Sequence, residues 1–478
     1  MLDFHLVKLF FIYLIFNKDM ANFKKVHIIG IGGIGVSAIA KMMLKLGKTV
    51  TGSDVNSSEI IQALKSRGVL IYQNHKKENL SSDTDLVIYS SAVPENNPER
   101  IQAQIFNIPQ LSYPEFLGEL SKKKYTIAIS GTNGKSTTTS ILGLILEKAN
   151  FDPLVIVGSK VNQSTWEENL RIGKSNYFVV EACEWQANML NLHPQIIILT
   201  NIQEDHLDYY LDINHIIETF QKYVEKLPDN GILIANSDDE NIQLLLKKIK
   251  NKNFKIITFG QKQGVDFQIK NIIKTFGLIN FTIQNNKIKK EFTLQIPGLF
   301  NIYNAVGASV MAFELKVPLN IIRDVVANFK GIWRRFEKQG EKNGAIIISD
   351  YAHTPIAIRG TIQAAKDFYP NRRIVVAFQP HHRDRTRKLF NEFIESFDQV
   401  DLLILPEIFD VQGREDKKDK DISSKDLIKE IKKRHNFKNK LVLYAKDLEE
   451  TKKLILKNLK SNDLILLIGA GDIYKIKL

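Results

Sequence analysis

A glycine-rich segment, GIGGIG at residues 30–35, follows the first apolar run of the sequence and precedes an amphipathic stretch of helix length. Glycine allows a tight turn and lets the first amides of the helix approach a phosphate, where the helix dipole favours negative charge. Asp54 ends the next apolar run, nineteen residues after Gly35, at the spacing of a carboxylate that binds a ribose. The pattern predicts a diphosphate-nucleotide site, either for a dinucleotide cofactor or for a nucleotide-sugar. Its candidate residues are Gly32, Gly33, Ile34, Gly35 and Asp54, with Ser90, Ser91 and Ala92 at the end of a later strand.

A second phosphate-binding pattern, SGTNGKST at residues 130–137, lies between the apolar run YTIAIS and a predicted helix. Loop amides and Lys135 can hold the β- and γ-phosphates of ATP, and the Ser136 hydroxyl can reach Mg²⁺. Ile129 stands where the longer Walker pattern has glycine, so this is a shortened P-loop. The predicted nucleotide-binding residues are Gly131, Thr132, Asn133, Gly134, Lys135, Ser136 and Thr137.

Two further apolar runs end in possible metal ligands. YFVV precedes Glu181, and IIILTN precedes a segment that contains His206. Because ligands bind beyond the carboxyl ends of strands in open α/β sheets, we expect Glu181, His206 and Ser136 to share one Mg²⁺. Glu184 and Asp208 are open candidates for the same site. The sole cysteine of the sequence is expected to be a small packed residue, since nothing indicates a base that would activate it.

The elements that must position these residues alternate along the chain. Short apolar runs and helix-length amphipathic segments follow one another almost throughout, which predicts an α/β fold of βαβ units with mostly parallel sheets. We predict three domains: a Rossmann-like domain at 20–122, a P-loop ATPase-type domain at 123–330 and a second Rossmann-like domain at 331–478. Between about 253 and 296 the runs KIITFG, LINFTIQ and EFTLQI predict a small antiparallel part of the central domain.

Composition narrows the class of protein. The 478 residues are 44% hydrophobic and 25% charged, which is typical of globular domains. A single cysteine excludes internal disulfides and cysteine-built metal cages, and it favours the cytoplasm. The net charge of +13 would suit nucleic acid, acidic membrane or small anionic substrates. Since no nucleic-acid motif is present, polyanionic small molecules are the favoured partners.

The N-terminus carries an apolar run of about eleven residues at 6–16, shorter than the ~20 that span a bilayer. It lacks a basic n-region and a small-residue cleavage site. We predict that residues 1–19 are an upstream extension from a misassigned start, without stable membrane insertion. A weak membrane anchor is the alternative.

Taken in order, the motifs resemble those of the Mur ligases of peptidoglycan synthesis over essentially residues 24–475. The motifs are GIGGIGVSAIA, SGTNGKSTTT, EACEWQANMLNL, TNIQEDHLDYY, PGLFNIYNA, WRRFE, SDYAHTP, FQPHHRDRT and GAGD. The resemblance, strongest to the alanine-adding branch, implies an ATP- and Mg²⁺-dependent ligase. It would join L-alanine to the lactyl carboxylate of UDP-N-acetylmuramate through an acyl phosphate, releasing ADP and phosphate.

The resemblance also implies roles for residues beyond the two phosphate loops. Asn301 and Asn304 should contact adenine, and Arg335 and Asp350 should face the phosphates and ribose of ATP. The residues expected to line the amino-acid and muramoyl-carboxylate side are Tyr351, His353, His381 and Arg385. The expected catalytic residues are Lys135, Glu181, His206, His353 and Arg385.

The sequence departs from the family pattern at Phe300, where histidine is usual, and at His382 and Arg383, where arginine and tyrosine are usual. These departures put one ATP contact in doubt and leave a non-catalytic nucleotide-binding homologue as an alternative. A tripeptide-recycling ligase of the same family is another. A nicotinamide-dependent oxidoreductase would leave the P-loop unexplained. Amino-acid choice among L-alanine, glycine and L-serine, and a monomeric or homodimeric state, stay open.

Overall fold

Three mostly parallel β-sheets flanked by helices organise the chain in a computed structural model that describes residues 23–207, 209–249, 253–275, 277–410 and 422–478. The predicted α/β class with a small antiparallel part is confirmed. The predicted extension at 1–19 and the candidate ligand Asp208 lie outside the described residues. No helix in the described part combines the length and apolarity that a membrane crossing needs.

The first domain has a five-stranded sheet in the order β3-β2-β1-β4-β5, with every pair parallel. Its elements are β1 (Lys25–Ile29), α1 (Ile34–Lys45), β2 (Thr49–Asp54), α2 (Glu59–Lys65), β3 (Leu70–Gln73), β4 (Leu86–Tyr89), α3 (Pro98–Ile105), β5 (Gln110–Ser112) and α4 (Tyr113–Lys122). β1 and β4 are almost wholly buried, as expected for apolar runs in a parallel sheet covered on both faces. The carboxyl ends of β1, β2 and β4 place the glycine-rich turn, Asp54 and Ser90 at one edge of the sheet.

The central domain places its P-loop strand between two parallel neighbours. Its strands are β6 (Tyr125–Ser130), β7 (Leu154–Ile156), β8 (Leu170–Arg171), β9 (Tyr177–Ala182), β10 (Ile196–Leu199), β11 (Ile232–Asn236) and β12 (Lys255–Gly260), and its helices are α5 (Lys135–Lys148), α6 (Ile213–Val224) and α7 (Glu240–Lys248). The strand order is β12-β11-β10-β6-β9-β7-β8, and all pairs are parallel except β7 with β8. Ser130 at the end of β6 is in register with Ala182 on one side and Leu199 on the other.

The segment predicted to be antiparallel contains one parallel strand. β13 (Phe267–Thr275), β14 (Leu278–Gln284) and β15 (Lys289–Leu294) form an antiparallel meander. β12, which holds KIITFG, instead pairs in parallel with β11, so its antiparallel assignment is wrong. The physical reason is that α7 lies between β11 and β12 and carries the chain back along the sheet, as the crossover between parallel strands requires. Two helices follow the meander: α8 (Leu299–Glu314) and α9 (Leu319–Asn328).

The third domain has a six-stranded sheet in the order β16-β17-β21-β18-β19-β20, in which only β16 is antiparallel to its neighbour. Its strands are β16 (Glu337–Lys342), β17 (Ala345–Asp350), β18 (Arg373–Phe378), β19 (Leu402–Pro406), β20 (Leu441–Ala445) and β21 (Asp463–Ile468). Its helices are α10 (Pro355–Phe368), α11 (Arg383–Lys388), α12 (Phe390–Glu395), α13 (Ser424–Lys433) and α14 (Leu448–Lys457). The sequence EKQGEK of β16 has no apolar run, so the pattern did not predict this edge strand.

By its internal contacts the chain divides into two compact units. The first holds the described residues up to Phe267 together with Asn304–Ile322, and the second holds Gln268–Tyr303 and Arg323–Leu478. Within the first unit, the first and central domains share one cluster of buried apolar side chains, to which Leu117 of α4 and Met189 both belong. The boundaries at 122/123 and 330/331 stay predictions.

A buried carboxylate lies beneath the glycine-rich turn of the first domain. The Glu99 side chain is fully buried, and its Oε2 accepts a hydrogen bond from the Ser53 hydroxyl and lies 3.5 Å from His27 Nε2 and from His75 Nδ1. Burial favours the neutral acid, but hydrogen bonds from the two histidines, Ser53 and Asn79 outweigh it and hold the pKa of Glu99 well below its usual range. The Ser53 carbonyl in turn accepts the amides of the glycine-rich turn.

We predict that Glu99 makes the folding stability depend on pH in the acidic range. Its folded-state pKa is lowered, so its stabilisation is present above the unfolded-state pKa of about 4.3 and is lost as the pH falls. Between about pH 6 and about pH 3, the free energy of unfolding should fall more steeply for the wild type than for Glu99→Gln. Urea unfolding at several pH values measures this, with the exposed Glu78→Gln as control. Equal slopes for Glu99→Gln and wild type would contradict the assignment.

Candidate active site

The P-loop has a backbone that admits only glycine at two positions. Gly131 has φ +132° and Gly134 has φ +87°, which side-chain-bearing residues rarely adopt. A Cβ on Gly131 would lie 2.2 Å from Thr200 Oγ1, and a Cβ on Gly134 would lie 2.1 Å from Asn304 Oδ1. The loop is therefore packed against its neighbours, and Asn304, expected to contact adenine, lies beside it.

The segment after β10 fixes the other side of the loop. The Asn133 amide donates to Asn201 Oδ1 at 2.9 Å, and the Thr200 hydroxyl donates to the Asn133 carbonyl at 2.6 Å. The Gln203 amide donates to Thr132 Oγ1 at 2.9 Å. Ser136 and Thr137 are buried in the first turn of α5. The hydrogen bonds hold the loop backbone in the cradle shape that binds phosphate at a helix N-terminus.

Lys135 is paired with a carboxylate that the sequence left as an open candidate. Its Nζ lies 2.8 Å from Glu184 Oε2 and donates to the carbonyls of Gly131 at 2.6 Å and Thr132 at 3.0 Å. Burial alone would lower the pKa of Lys135, but the charge of Glu184 outweighs it and raises that pKa above its ordinary value. Lys135 is thus a permanent cation at the phosphate loop.

Glu184, Asp205 and His206 form a cluster with one ligand atom each, all within 4.8 Å of one another. His206 Nε2 lies 3.7 Å from Glu184 Oε1 and 3.9 Å from Asp205 Oδ2. The backbone of His206 has φ +53°, which is the left-handed conformation that side-chain-bearing residues adopt rarely. Two carboxylates and an imidazole fit a divalent cation, and the cluster adjoins Lys135 through Glu184. Asp205 does not end an apolar run. Its position next to His206 was therefore the only sequence feature that could have indicated it as a metal ligand.

Glu181 is not part of this cluster. Its carboxylate accepts the Gly158 amide, and within the described ranges it belongs to no group of clustered metal-ligating side chains. It lines a cavity of about 260 Å³ together with Gly33, Ile34, Gly35, Ser90 and Ser91. The structure therefore brings most of the predicted diphosphate-binding residues together with Glu181. Asp54 accepts the Gly32 amide at 2.9 Å and so shapes the glycine-rich turn.

Cys183 also lines this cavity, so its expected place as a packed residue is wrong. The side chain is accessible from the cavity while protein surrounds it on the other sides, and this desolvation raises the pKa of the thiol to about 12. The thiol is therefore a weak nucleophile at neutral pH, as expected. Tyr113 lies on the same wall, and burial raises the pKa of its phenol.

In the second unit, Asp350 supports the backbone around Arg335. The Asp350 carboxylate is buried and accepts the amides of Phe336 at 2.7 Å and Ala352 at 2.8 Å. Desolvation raises the pKa of this carboxyl group. The Arg335 guanidinium lies 5.1 Å from the centre of the Tyr351 ring. These contacts order the residues that were expected to face ATP.

Three more predicted residues of this unit lie together. The His353 ring is 5.3 Å from that of Tyr351 and 6.5 Å from that of His381, and Arg385 Nη1 is 3.4 Å from His381 Nδ1. His382 has φ +73°, and Arg383 pairs with Asp410 at 3.0 Å. Arg383 therefore anchors the segment that presents His381.

The sequence reasoning missed Arg334, which is 5% exposed and lies over the rings of Tyr351 and Tyr474. It donates to the carbonyls of Gly469 and Gly471 in the terminal GAGD motif, so the WRRF and GAGD segments are in contact. Asn301, expected to contact adenine, donates to the Pro297 carbonyl at 2.6 Å. Phe300 is 44% exposed at the start of α8.

Comparison with known families accounts for all three domains. Residues 25–125 match "Mur ligase family, catalytic domain", residues 129–312 match "Mur ligase middle domain", and residues 334–471 match "Mur ligase, glutamate ligase domain". The chain belongs to the Mur ligase family. The predicted resemblance is confirmed.

Relatives of this Mur ligase extend over nearly its whole length. The UDP-N-acetylmuramate–L-alanine ligase of Clostridium tetani is 43% identical over 95% of this chain and 96% of its own. The UDP-N-acetylmuramate–L-alanine ligase of Caldanaerobacter subterraneus is 38% identical over 96% of this chain and 97% of its own. Among solved structures, the UDP-N-acetylmuramate–alanine ligase of Thermotoga maritima has a TM-score of 0.80 and 27% identity, covering 94% of this chain and 96% of that one. A murein peptide ligase of Psychrobacter arcticus shares the fold. It has a TM-score of 0.70 and 24% identity, covering 94% of this chain and 96% of that one.

We predict that Gly134→Ala weakens ATP binding about tenfold or more, because the new Cβ displaces Asn304 as well as straining the backbone. Gly264→Ala is the matched control, since Gly264 has φ +85° and no atom lies within 4 Å of the place that its new methyl group would take. Both variants should lose about 1 kcal/mol from backbone strain. Only Gly134→Ala should lose affinity in calorimetric titration with ATP. Equal affinity for the two variants would show that the loop tolerates a side chain.

Proposed function

We propose that this chain joins the amine of L-alanine to the lactyl carboxylate of UDP-N-acetylmuramate in an ATP-dependent ligase reaction of peptidoglycan precursor synthesis. The observation that carries the proposal is the pairing of two phosphate sites in one compact unit: the P-loop, and the cavity at the start of α1. The names of relatives 38–43% identical over nearly the whole chain support the substrate assignment.

The chemistry explains why a ligase needs both sites. A carboxylate is a poor acyl donor because its leaving group would be oxide, and transfer of the γ-phosphoryl group of ATP gives an acyl phosphate with a good leaving group. The amine then attacks, and ADP and phosphate are released. Phosphoryl transfer depends mainly on positioning and charge stabilisation. Lys135 supplies a fixed positive charge, and the amides of the P-loop bind the phosphates.

The cavity residues take the nucleotide-sugar. The N-terminus of α1 at Gly33, Ile34 and Gly35 binds the diphosphate, and Ser90 and Ser91 line the same cavity. Glu181 lies on the wall where the sugar end would approach the central domain. Water must be excluded from the acyl phosphate, and a cavity bounded by apolar side chains such as Leu117 and Met189 serves that purpose.

The donor set near Lys135 fits Mg²⁺, and we assign Glu184, Asp205 and His206 as the residues that would hold it. Ser136 and Glu181 stay predicted ligands. A bound Mg²⁺ neutralises phosphate charge during transfer. Within the chain itself, Glu184 orients Lys135, and the Tyr210 hydroxyl fixes the backbone of Glu184 by donating to its carbonyl.

The second unit carries a further group of positive side chains. We assign His353, His381 and Arg385 to the amino-acid and muramoyl-carboxylate side, where the tetrahedral oxyanion of amide formation needs positive charge. Arg335 and Asp350 are assigned to ATP. We place the reaction in the cytoplasm, where both nucleotide substrates are available.

The most useful single experiment is an amino-acid panel with ATP and UDP-N-acetylmuramate, read by the mass of the product. Formation of the L-alanine adduct, with phosphate release that requires both substrates, supports the proposal. Turnover with the tripeptide L-alanyl-D-glutamyl-diaminopimelate and not with L-alanine would favour the recycling ligase. Nucleotide binding without turnover would favour a non-catalytic homologue.

We predict that Lys135→Ala abolishes turnover while the chain still folds, because it removes the phosphate-binding charge from a loop whose backbone is held by other residues. The unfolding temperature should fall, because the buried Glu184 carboxylate loses its cation. Lys255→Ala is the matched control, since Lys255 forms a lysine–glutamate pair with Glu314 at 2.6 Å on the surface. Phosphate release measures both. Near-normal turnover of Lys135→Ala would overturn the site assignment.

We predict that Asp205→Asn raises the Mg²⁺ concentration for half-maximal turnover about tenfold, because it removes one negative ligand from the cluster. Glu204→Gln, its exposed neighbour, should leave that concentration unchanged. Titration of phosphate release with Mg²⁺ checks the pair. An unchanged Mg²⁺ requirement in Asp205→Asn would exclude Asp205 as a ligand.

A further inference from the structure

A lysine is buried in α1, the helix whose first residues line the diphosphate cavity. Lys41 is 2% exposed. Its Nζ donates to Glu168 Oε2 at 2.7 Å, to Asn169 Oδ1 at 2.9 Å and to the Glu167 carbonyl at 3.1 Å. All three acceptors belong to the loop 157–169 of the central domain, between β7 and β8. Lys41 therefore joins the first domain to the central domain within the first unit.

Packing alone does not account for a lysine at this position. Burying an ammonium group costs free energy that the ion pair and hydrogen bonds only offset, and an apolar side chain of similar length would fill the same space at lower cost. Desolvation lowers the pKa of Lys41, and the charge of Glu168 opposes this change. The lysine instead adds hydrogen bonds that join α1 to the loop 157–169 in one geometry.

The loop 157–169 makes contacts at both ends of the proposed reaction path. At one end, the Asn169 side-chain amide donates to the carbonyl of Ile34 and to Ser37 Oγ, in the first turn of α1. At the other end, the Gly158 amide donates to the carboxylate of Glu181. Lys41 holds the loop between these two contacts.

Two backbone hydrogen bonds join the two sides of the loop 157–169. The Val157 amide donates to the Asn169 carbonyl at 3.0 Å, and the Val161 amide donates to the Glu168 carbonyl at 2.9 Å. The two sides of the loop are thereby paired. A displacement at Glu168 or Asn169 would move the Gly158 amide as well.

More exposed ion pairs surround the buried one. Lys45 lies 3.0 Å from Glu167, and Lys160 lies 3.5 Å from Glu168 and 3.6 Å from Glu59 of α2. Exposed pairs of this kind are screened and contribute little. Lys45 is on the same helix as Lys41 and therefore offers a matched comparison.

We infer that Lys41 is a positioning residue that sets the start of α1 at a fixed distance from Glu181, so that the carboxylate of the bound nucleotide-sugar reaches the phosphoryl donor. The inference rests on the proposed function, because a substrate that spans both domains is what makes this distance matter. Misplacement of reacting groups by about 1 Å can cost about a hundredfold in rate.

Measurements with two ligands can distinguish a positioning role of Lys41 from simple support of α1. We expect binding of UDP alone to depend mainly on the start of α1 and less on the central-domain residues that line the same cavity, such as Glu181 and Met189. UDP-N-acetylmuramate extends from that helix to the reacting atoms. A change that affects only the longer ligand's turnover therefore reports the distance between the domains.

Lys41→Met keeps the length of the side chain and removes its charge and donors. We expect kcat/KM for UDP-N-acetylmuramate to fall about 10- to 100-fold, mainly through kcat, while the Kd values for UDP and for ATP change by less than about twofold. Hydrogen exchange of the amides in 157–169 should accelerate. Lys45→Met should match the wild type in each measurement.

Equal losses in UDP affinity and in kcat/KM would overturn the inference, because Lys41 would then only support the helix. Unchanged kcat/KM would overturn it as well. If Lys41→Met does not fold, Glu168→Ala gives the same test, since it removes both the charge and the acceptor that Lys41 Nζ contacts at 2.7 Å. A wild-type chain without ligase activity would defeat the proposed function, whereas the hydrogen-exchange comparison would still test the link.

Discussion

The ion pair of Lys135 with Glu184 is the interaction on which the central site depends. Lys135 begins the helix after the P-loop, and Glu184 follows β9, the neighbour of the P-loop strand. The pair therefore links the two strand ends that carry the phosphate loop and the cation cluster. The Glu184 carboxylate raises the pKa of Lys135, and His206 and Asp205 gather around the same carboxylate. Glu184 is thus a partner that the lysine and the histidine share.

Parallel strand order explains how residues far apart in sequence meet at this pair. β6 lies between β9 and β10, so the loops after these three strands emerge at one edge of the central sheet. The same rule operates in the first domain, where the glycine-rich turn and Ser90 follow adjacent strands. The chemistry thus lies where the fold class requires it, and the side chains decide which ligand is bound.

Local patterns allowed the two phosphate loops and the fold class to be predicted from the sequence. Both loops depend on glycines at fixed spacings between a strand and a helix, and these features can be recognised in consecutive residues of the sequence. The cation cluster could not be predicted in full, because Glu181 and Glu184 are three residues apart and only the backbone after β9 decides which one turns toward His206. β16 was missed because its polar sequence forms a strand only through pairing with β17.

The cavity beside Glu181 has a practical consequence through Cys183. Since the sequence contains one cysteine and that thiol lines the cavity wall, a thiol-directed reagent would modify each chain at one place, and slowly, because the raised pKa of the thiol leaves little thiolate. The label would sit where the nucleotide-sugar is expected, without any engineered cysteine. A bound ligand would then protect the thiol, and the loss of modification would report occupancy of the cavity in the native sequence.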